Sequence, residues 1–153
     1  MDTIYLHAWA AGLLDADGTI TIKRTKRGRG LWNYIPLIQL TQVATFKGKN
    51  NTKRIQQLFG GAIHKGMIRR SEGEKRQTPI LSWQATSRTA IECIKAISPF
   101  MTGKSRQAKL LIEYIEKFHG DDYVFHRLTS NEMDERARYF RKMRSFQEKG
   151  FSP

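Results

Sequence analysis

Two aspartates near the start of the chain, Asp15 and Asp17, have the residue type and spacing that could support metal chemistry. They end the stretch 9–18, Trp-Ala-Ala-Gly-Leu-Leu-Asp-Ala-Asp-Gly, which predicts a helix because alanine and leucine dominate it and proline is absent. Gly18 is predicted to end the helix with a positive φ, as glycine often does. A carboxylate in the last turn opposes the negative end of the helix dipole. Asp17 therefore breaks a local rule in the way that functional residues often do.

A stripe of small residues runs along the same helix. Ala8, Gly12 and Ala16 recur every four residues and therefore share one face. Small side chains let a second backbone approach closely, for a steric reason that is best documented in membrane helices. An acid held at such a close contact favours a cation beside it.

The nine positions from Ala10 to Gly18 resemble the LAGLIDADG motif of the homing endonucleases. Alanine replaces the first leucine and leucine replaces isoleucine, whereas the glycines and both acids stand where the family has them. The resemblance implies an αββαββα fold over residues 1 to about 119 and an activity that cuts DNA at a specific site. The alternative is a buried helix with stray acids, since any motif match carries a risk of coincidence.

The resemblance also implies roles for the residues of the motif. In the family the second acid binds the metal, which places Mg²⁺ on Asp17, with help from the carbonyl of Ala16; Mn²⁺ or Ca²⁺ could substitute in binding. Mg²⁺ suits phosphodiester cleavage because it binds carboxylates, waters and phosphate oxygens. Asp15 lies about 200° away around the helix, so we interpret it as structural.

Two further catalytic positions follow from similarity to the single-motif branch of the family. The segment 39–42 looks like the one whose last glutamine orders active-site water, which is Gln42 here. Lys104 follows a Pro-Phe pair as the family's active-site lysine does, although a surface lysine or a phosphate contact would explain it equally well. Family members also carry a basic residue after the second strand, and Lys47 and Lys49 are both candidates.

The composition indicates one soluble domain. The chain has 153 residues, of which 39% are hydrophobic, so we expect a single domain over 1–153 with a helical extension at about 120–153. A lone cysteine, Cys93, excludes an internal disulfide, and the four histidines lack ligand-like spacing. Neither a membrane-length apolar run nor a signal peptide is evident. These features predict an intracellular protein of an archaeal or bacterial cytoplasm or of an organelle, without membrane association or a small-molecule cofactor.

The positive charge is concentrated in one part of the chain. The net charge is +13, and residues 18–71 contain twelve Lys and Arg without a single Asp or Glu. Such a one-sign field indicates a polyanionic partner, most simply nucleic acid. An acidic membrane would instead require a basic amphipathic helix, whereas this block alternates like strands.

Hydrophobic periodicity predicts helix, two strands, helix, two strands, helix and then extra helices. Pro36 suggests that its strand is an edge strand or contains a bulge. Ser87, Thr102 and Thr129 are predicted helix caps. The predicted segments are a helix over 1–17, strands over 19–27 and 31–42, a polar loop over 47–51, a helix over 52–59, a hairpin of 63–70 and 78–86, and helices over 87–97, 102–119 and 129–148.

A four-stranded antiparallel sheet of this order would be α+β, with helices on one face and the other face open. The open face carries residue types that read base edges in the major groove of double-stranded DNA. The predicted DNA-binding residues are Thr21, Lys23, Thr25, Arg27, Arg29, Asn33, Gln39, Lys47, Lys49, Arg69, Arg70, Ser82 and Gln84.

One motif supplies only half of a site that must cut two strands. We therefore expect a homodimer that pairs through Ala8, Gly12, Leu13 and Ala16 and cuts a long pseudo-palindromic target. This predicts a Mg²⁺-dependent endonuclease of the intron-homing type. The alternatives on the same fold are an RNA-splicing maturase and a nucleic-acid-binding protein that does not cleave; a basic RNA-binding protein of the ribosome would leave the acid of the motif unexplained.

Overall fold

The computed structural model describes residues 2–28, 30–69, 73, 76–118 and 129–149. A short 3₁₀ turn at Ser98–Phe100 precedes the helix that begins at Ser105. The elements in chain order are α1 Thr3–Asp17, β1 Gly18–Arg27, β2 Leu31–Val43, α2 Phe46–Phe59, β3 Ala62–Ile68, β4 Thr78–Thr86, α3 Ser87–Ile97, α4 Ser105–Phe118 and α5 Ser130–Lys149.

The four strands form one antiparallel sheet in the order β1-β2-β4-β3. Alternation along the strands sends one set of side chains toward the helices, and Ile20, Ile22, Ile38, Leu40 and Trp83 on that set are fully buried. The architecture is therefore α+β with the αββαββα order that the sequence predicts, followed by α4 and α5.

Two buried polar groups in this core are satisfied by backbone carbonyls. The indole Nε1 of Trp83 donates to the carbonyl of Gly60 at 2.7 Å, and the hydroxyl of Tyr114 donates to the carbonyl of Tyr34 at 2.6 Å. Burying either group without a partner would be costly. These bonds tie β4 to the end of α2 and β2 to α4.

The C-terminal helix α5 packs against β1 and α4. Met143 is fully buried, and Ala137 and Phe140 pack against the core. The guanidinium of Arg24 on β1 lies 4.2 Å from the ring centre of Trp32 and 4.9 Å from that of Phe140. This cation–π sandwich attaches α5 to the first hairpin.

The polar segment 47–51 is helical, and the prediction of a loop there is wrong. The helix α2 begins at Phe46, and the hydroxyl of Thr45 caps it by accepting the N–H of Gly48 at 3.1 Å. A Cβ at Gly48 would lie 1.9 Å from the carbonyl oxygen of Val43. Position 48 therefore requires glycine, because the first turn of α2 touches the end of β2.

Gly18 ends α1 as predicted, but for a different reason. Its φ is −92°, so no left-handed conformation is involved. A Cβ at this position would lie 2.6 Å from a methyl carbon of Leu14 and 2.8 Å from its Cα. Close packing of β1 on the last turn of α1 therefore requires the glycine.

Three other local predictions are corrected. Strand β2 is central, and Pro36 fits without a bulge because it lies opposite Ile22, just before the pairing of β2 with β4 begins at Leu37. Ser87 is the first residue of α3, with φ +52°, and makes no side-chain cap. The hydroxyl of Thr102 donates to Asp15 and does not cap α4. The Thr129 cap is confirmed, since its hydroxyl accepts the N–H of Glu132 at 3.2 Å.

Candidate active site

Asp17 and Gln42 meet where α1 ends beside the sheet. The pairing of Gly18 with Leu40 places Gln42, two residues further along β2, next to the last turn of α1. Its amide Nε2 donates to Oδ2 of Asp17 at 3.2 Å, and Nδ2 of Asn51 lies 3.5 Å from its Oε1. The Asp17 side chain is exposed. An acid and an amide from distant parts of the chain thus share one open site.

A cleft on the α2 side of Asp17 contains one of the two candidate lysines. Lys47 lines it together with Gln42 and Asn51, whereas Lys49 does not line it. The two lysines are two positions apart on α2, so their side chains leave the helix about 200° apart. Of the two candidate lysines, Lys47 is the one that lines the same cleft as Asp17.

Lys104 lies on the other side of Asp17. Its Nζ donates to the carbonyl of Leu14 at 3.1 Å and also to that of Asp15. These carbonyls belong to the last turn of α1, where the helix dipole is negative, so the ammonium offsets the unfavourable position of Asp17. A second cleft at this side is lined by Ala16, Asp17, Lys104, Gln107 and Gln147, among others.

Gln107 and Gln147 were not predicted from the sequence. They come from α4 and α5, and only the packing of α5 against α4 and β1 brings Gln147 to this cleft. Nothing in the spacing of these residues relates them to the motif. The glutamine side chains that line the two clefts beside Asp17 thus come from three elements: Gln42 from β2, Gln107 from α4 and Gln147 from α5.

Asp15 has a structural role, as its position around the helix suggests. Its carboxylate accepts the N–H of Thr102 at 2.8 Å, the hydroxyl of Thr102 at 3.1 Å and the N–H of Lys104 at 2.9 Å. Partial burial would raise the pKa of Asp15, but these donors and the Lys104 charge outweigh it and hold the pKa below its usual value. Asp15 therefore fixes the segment that delivers Lys104.

This pKa shift predicts acid sensitivity. Because the folded pKa lies below the unfolded value near 3.8, ionised Asp15 stabilises the protein above that pH, and the stabilisation is lost as the pH falls through the folded pKa. We expect the wild type to be more stable than Asp15→Asn at about pH 6, with the difference shrinking toward about pH 3. Urea unfolding of both proteins across this range measures it. A difference independent of pH would contradict the assignment.

The open face of the sheet carries most of the predicted DNA-binding residues. Lys23 is exposed, and Thr21, Thr25 and Asn33 are partly buried, with Thr25 paired to Asn33. Leu37 interrupts this polar surface and is 7% exposed. Lys47 and Lys49 lie on α2 and not on a strand, and Arg69 is exposed after β3. The Arg27 side chain, Arg29 and Arg70 lie outside the described residues.

A hydrogen-bonded group lies at the end of this face nearest Asp17. Nε2 of Gln39 donates to the hydroxyl of Ser82 at 2.8 Å, and the hydroxyls of Thr41 and Ser82 are 3.2 Å apart. Gln84 pairs with Gln39 in the next row. Thr41 was missed by the sequence reading, although the alternation from Gln39 places it on this face.

One face of α1 has no partner within the described part of the chain. Ala10, Ala11 and Leu14 are fully buried, whereas Gly12 and Ala16 are exposed and Ala8 and Leu13 are partly buried. Tyr5, 69% exposed, extends the same face by two turns before Gly12. A Cβ at Gly12 would meet no atom within 4 Å. An apolar helix exposed in this way fits a close contact with another chain.

Within the described residues no three His, Cys, Asp or Glu side chains are close enough to share a metal ion. Of the two aspartates of the motif, Asp17 lines both clefts, whereas Asp15 lines the one beside Lys104. Among the helices that the structure describes, none combines the length and apolar character of a membrane span.

The fold is that of the LAGLIDADG homing endonucleases. The chain matches the crystal structure of homing endonuclease I-CvuI bound to the I-CreI target with a TM-score of 0.66 and 20% identity, covering 94% of this chain and 82% of that one. It matches the archaeal intron-encoded homing endonuclease I-Vdi141I bound to DNA with a TM-score of 0.67 and 14% identity, covering 94% and 85%.

A third match concerns a longer protein. Meganuclease I-SmaMI bound to DNA gives a TM-score of 0.66 and 21% identity, with 90% of this chain but only 44% of that one covered. The chain thus spans less than half of I-SmaMI. No family model matches the chain, and no curated protein does.

Proposed function

We propose that this protein is a site-specific DNA endonuclease of the intron-homing type. The observation that carries the proposal is the pairing of Asp17 with Gln42 at the end of the motif helix, beside an open sheet face that carries Lys23. The three similar structures described above are homing endonucleases, and each of them is bound to DNA. Asp17 would therefore lie beside DNA that is bound on the open face of the sheet.

The active unit of this proposal is a homodimer formed through α1. The exposed stripe of Ala8, Gly12 and Ala16 supports it, because a symmetric pairing there would bring the two Asp17 carboxylates together. The coverage of less than half of I-SmaMI also fits a site built from two copies of this unit. A two-fold dimer would require a target with approximate two-fold symmetry.

The residues at the cleft fit Mg²⁺. It binds through one or two carboxylates, with waters and phosphate oxygens completing six ligands, so one Asp17 from each chain and the carbonyl of Ala16 would suffice. Bound there, the ion would acidify a water and stabilise the leaving oxygen. Mn²⁺ or Ca²⁺ could occupy the same oxygen ligands.

The other residues at the cleft have separate tasks. Gln42 would hold Asp17 through its Nε2 and orient a water with its remaining polar groups. Lys47 would meet a DNA phosphate at the mouth of its cleft, and its charge would favour the phosphate in the transition state. Lys104 would keep the end of α1 in place and supply positive charge behind Asp17.

The sheet would read one half of the target. Thr25 lies eight residues beyond Asp17, and at about 3.3 Å per residue this spans roughly eight base pairs. Gln39, Ser82 and Gln84 lie near Asp17 and would contact base pairs close to the cut, whereas Lys23, Thr25 and Asn33 would contact outer ones.

Binding is expected to depend steeply on salt and on Lys23. With about six to ten phosphate contacts, affinity should fall about 10³- to 10⁵-fold between 50 and 200 mM salt. Lys23→Ala should also relax the preference at an outer base pair. Fluorescence anisotropy with matched duplexes measures both effects, and Lys109→Ala, exposed on α4, should leave them unchanged. Equal weakening on all sequences would mean that Lys23 contacts only phosphate.

A binding selection tests the proposed function itself. The full-length protein is incubated with a randomised duplex library, and the retained sequences are compared with selection from single-stranded RNA of equal length. We expect enrichment of one long, nearly palindromic duplex that the protein then cuts in Mg²⁺. Enrichment of RNA alone would support the maturase alternative, and enrichment of DNA without cleavage would support a non-cleaving DNA-binding protein.

A further inference from the structure

Phe46 is the most exposed large hydrophobic side chain among the described residues. It is 84% exposed, although it is the first residue of a helix whose other aromatic, Phe59, packs against the core. No contact within the described chain accounts for it. A single exposed apolar side chain is common on protein surfaces, and what distinguishes Phe46 is the charge that surrounds it.

The surroundings of Phe46 are cationic. The outward face of α2 carries Lys49 and Lys53 with Phe46, and α2 has no Asp or Glu. Lys47, the next residue, lines the cleft that contains Asp17. An exposed aromatic within a basic patch, continuous with the proposed DNA cleft, is the combination by which proteins bind unstacked bases.

We propose that Phe46 is an aromatic wedge that packs into the DNA beside the cleaved phosphodiester and opens one base step. The proposal rests on the endonuclease function proposed above. Side chains on a helix lean toward its N-terminus, so the Phe46 ring extends beyond the start of α2. Its two neighbours in the chain, Thr45 and Lys47, line the cleft that contains Asp17. Apolar side chains inserted between bases unstack and kink DNA in this way.

The charge of α2 favours DNA over a second copy of the chain as the partner. Two symmetric copies meeting at Phe46 would bring Lys49 and Lys53 of both chains together without a compensating acid on α2. The small-residue stripe that suits a chain–chain contact lies on α1, a different helix. A bound DNA would neutralise Lys49 and Lys53 with its phosphates and cover the Phe46 ring with its bases.

The test uses the duplex obtained by selection, with 2-aminopurine placed in turn at each position flanking the cut. The full-length protein and Phe46→Ala are mixed with it in Ca²⁺, and binding, 2-aminopurine fluorescence and sedimentation are measured. We expect the wild type to raise fluorescence at one position and Phe46→Ala to abolish the rise. The Kd should increase about 5- to 150-fold, the range for loss of one stacked base.

Phe46→Leu is the matched control, because it keeps an apolar side chain but removes the ring. It should recover part of the affinity and little of the fluorescence, while thermal unfolding of both variants should match the wild type since the ring is exposed. Unchanged fluorescence and Kd in Phe46→Ala would overturn the wedge, and so would loss of dimer without loss of the fluorescence rise. Failure of the wild type to bind any duplex would instead refute the endonuclease function.

Discussion

Gly12→Leu is expected to give a folded monomer that neither binds the full target tightly nor cuts it. Gly12 is exposed, and its missing Cβ faces open space, so leucine fits the isolated chain. Replacing glycine within a helix should even favour the helix by about 0.8 kcal/mol. In the proposed dimer the same side chain would separate two helices that need close contact between small residues.

Sedimentation velocity measures the oligomeric state of the variant, and circular dichroism measures its helix content. The wild type should sediment as a dimer, and Gly12→Leu as a monomer with unchanged helix content and at least about a tenfold weaker affinity for the palindromic duplex. Glu92→Leu, which adds the same side chain to an exposed position of α3, should remain dimeric. A wild type that is monomeric at micromolar concentration would refute pairing through α1, as would a dimeric Gly12→Leu variant.

The overall architecture was predictable because its signals are local. The motif, the alternation over β1 and β2 and the helical periods of α3 and α4 are each contained in one short segment, and their order along the chain agrees with the fold that the resemblance implies. Ile20, Ile22 and Trp83 are buried on the face that alternation gives them. These predictions are confirmed.

The details of the site depended on contacts between distant residues and could not be read from the sequence. Lys104 meets the carbonyls of Leu14 and Asp15, which lie 90 and 89 positions away along the chain. Glycine and asparagine in segment 47–51 are typical of loops, yet this segment is helical, and Gly48 serves its close approach to Val43. The sequence could not distinguish Lys47 from Lys49, because their directions depend on the helix that contains them.

Asp17→Asn is expected to abolish cleavage while the protein still folds and binds DNA. The substitution keeps the shape of the side chain and its place beside Gln42, but removes the charge that would hold a divalent ion. Without that anchor no strong nucleophile forms at neutral pH, and the rate should fall at least about a hundredfold. Binding should persist or tighten, because two negative charges per dimer leave the path of the phosphates.

Asp15→Asn is the matched control for this substitution. It changes the same residue type two positions away, where the carboxylate binds Thr102 and the N–H of Lys104 and does not face the Gln42 amide. It should lower stability at neutral pH and retain Mg²⁺-dependent cleavage at temperatures where it is folded. Equal loss of cleavage in both variants would assign Asp17 a structural role.

A paired gel shift and cleavage gel on the selected duplex tests the central claim most directly. The wild type, Asp17→Asn and Asp15→Asn are each incubated with the duplex in Mg²⁺ and in EDTA. We expect the wild type to cut both strands in Mg²⁺ and neither in EDTA, and Asp17→Asn to shift the duplex as well as the wild type does and to leave it intact. Full cleavage by Asp17→Asn, or cleavage by the wild type in EDTA, would contradict it.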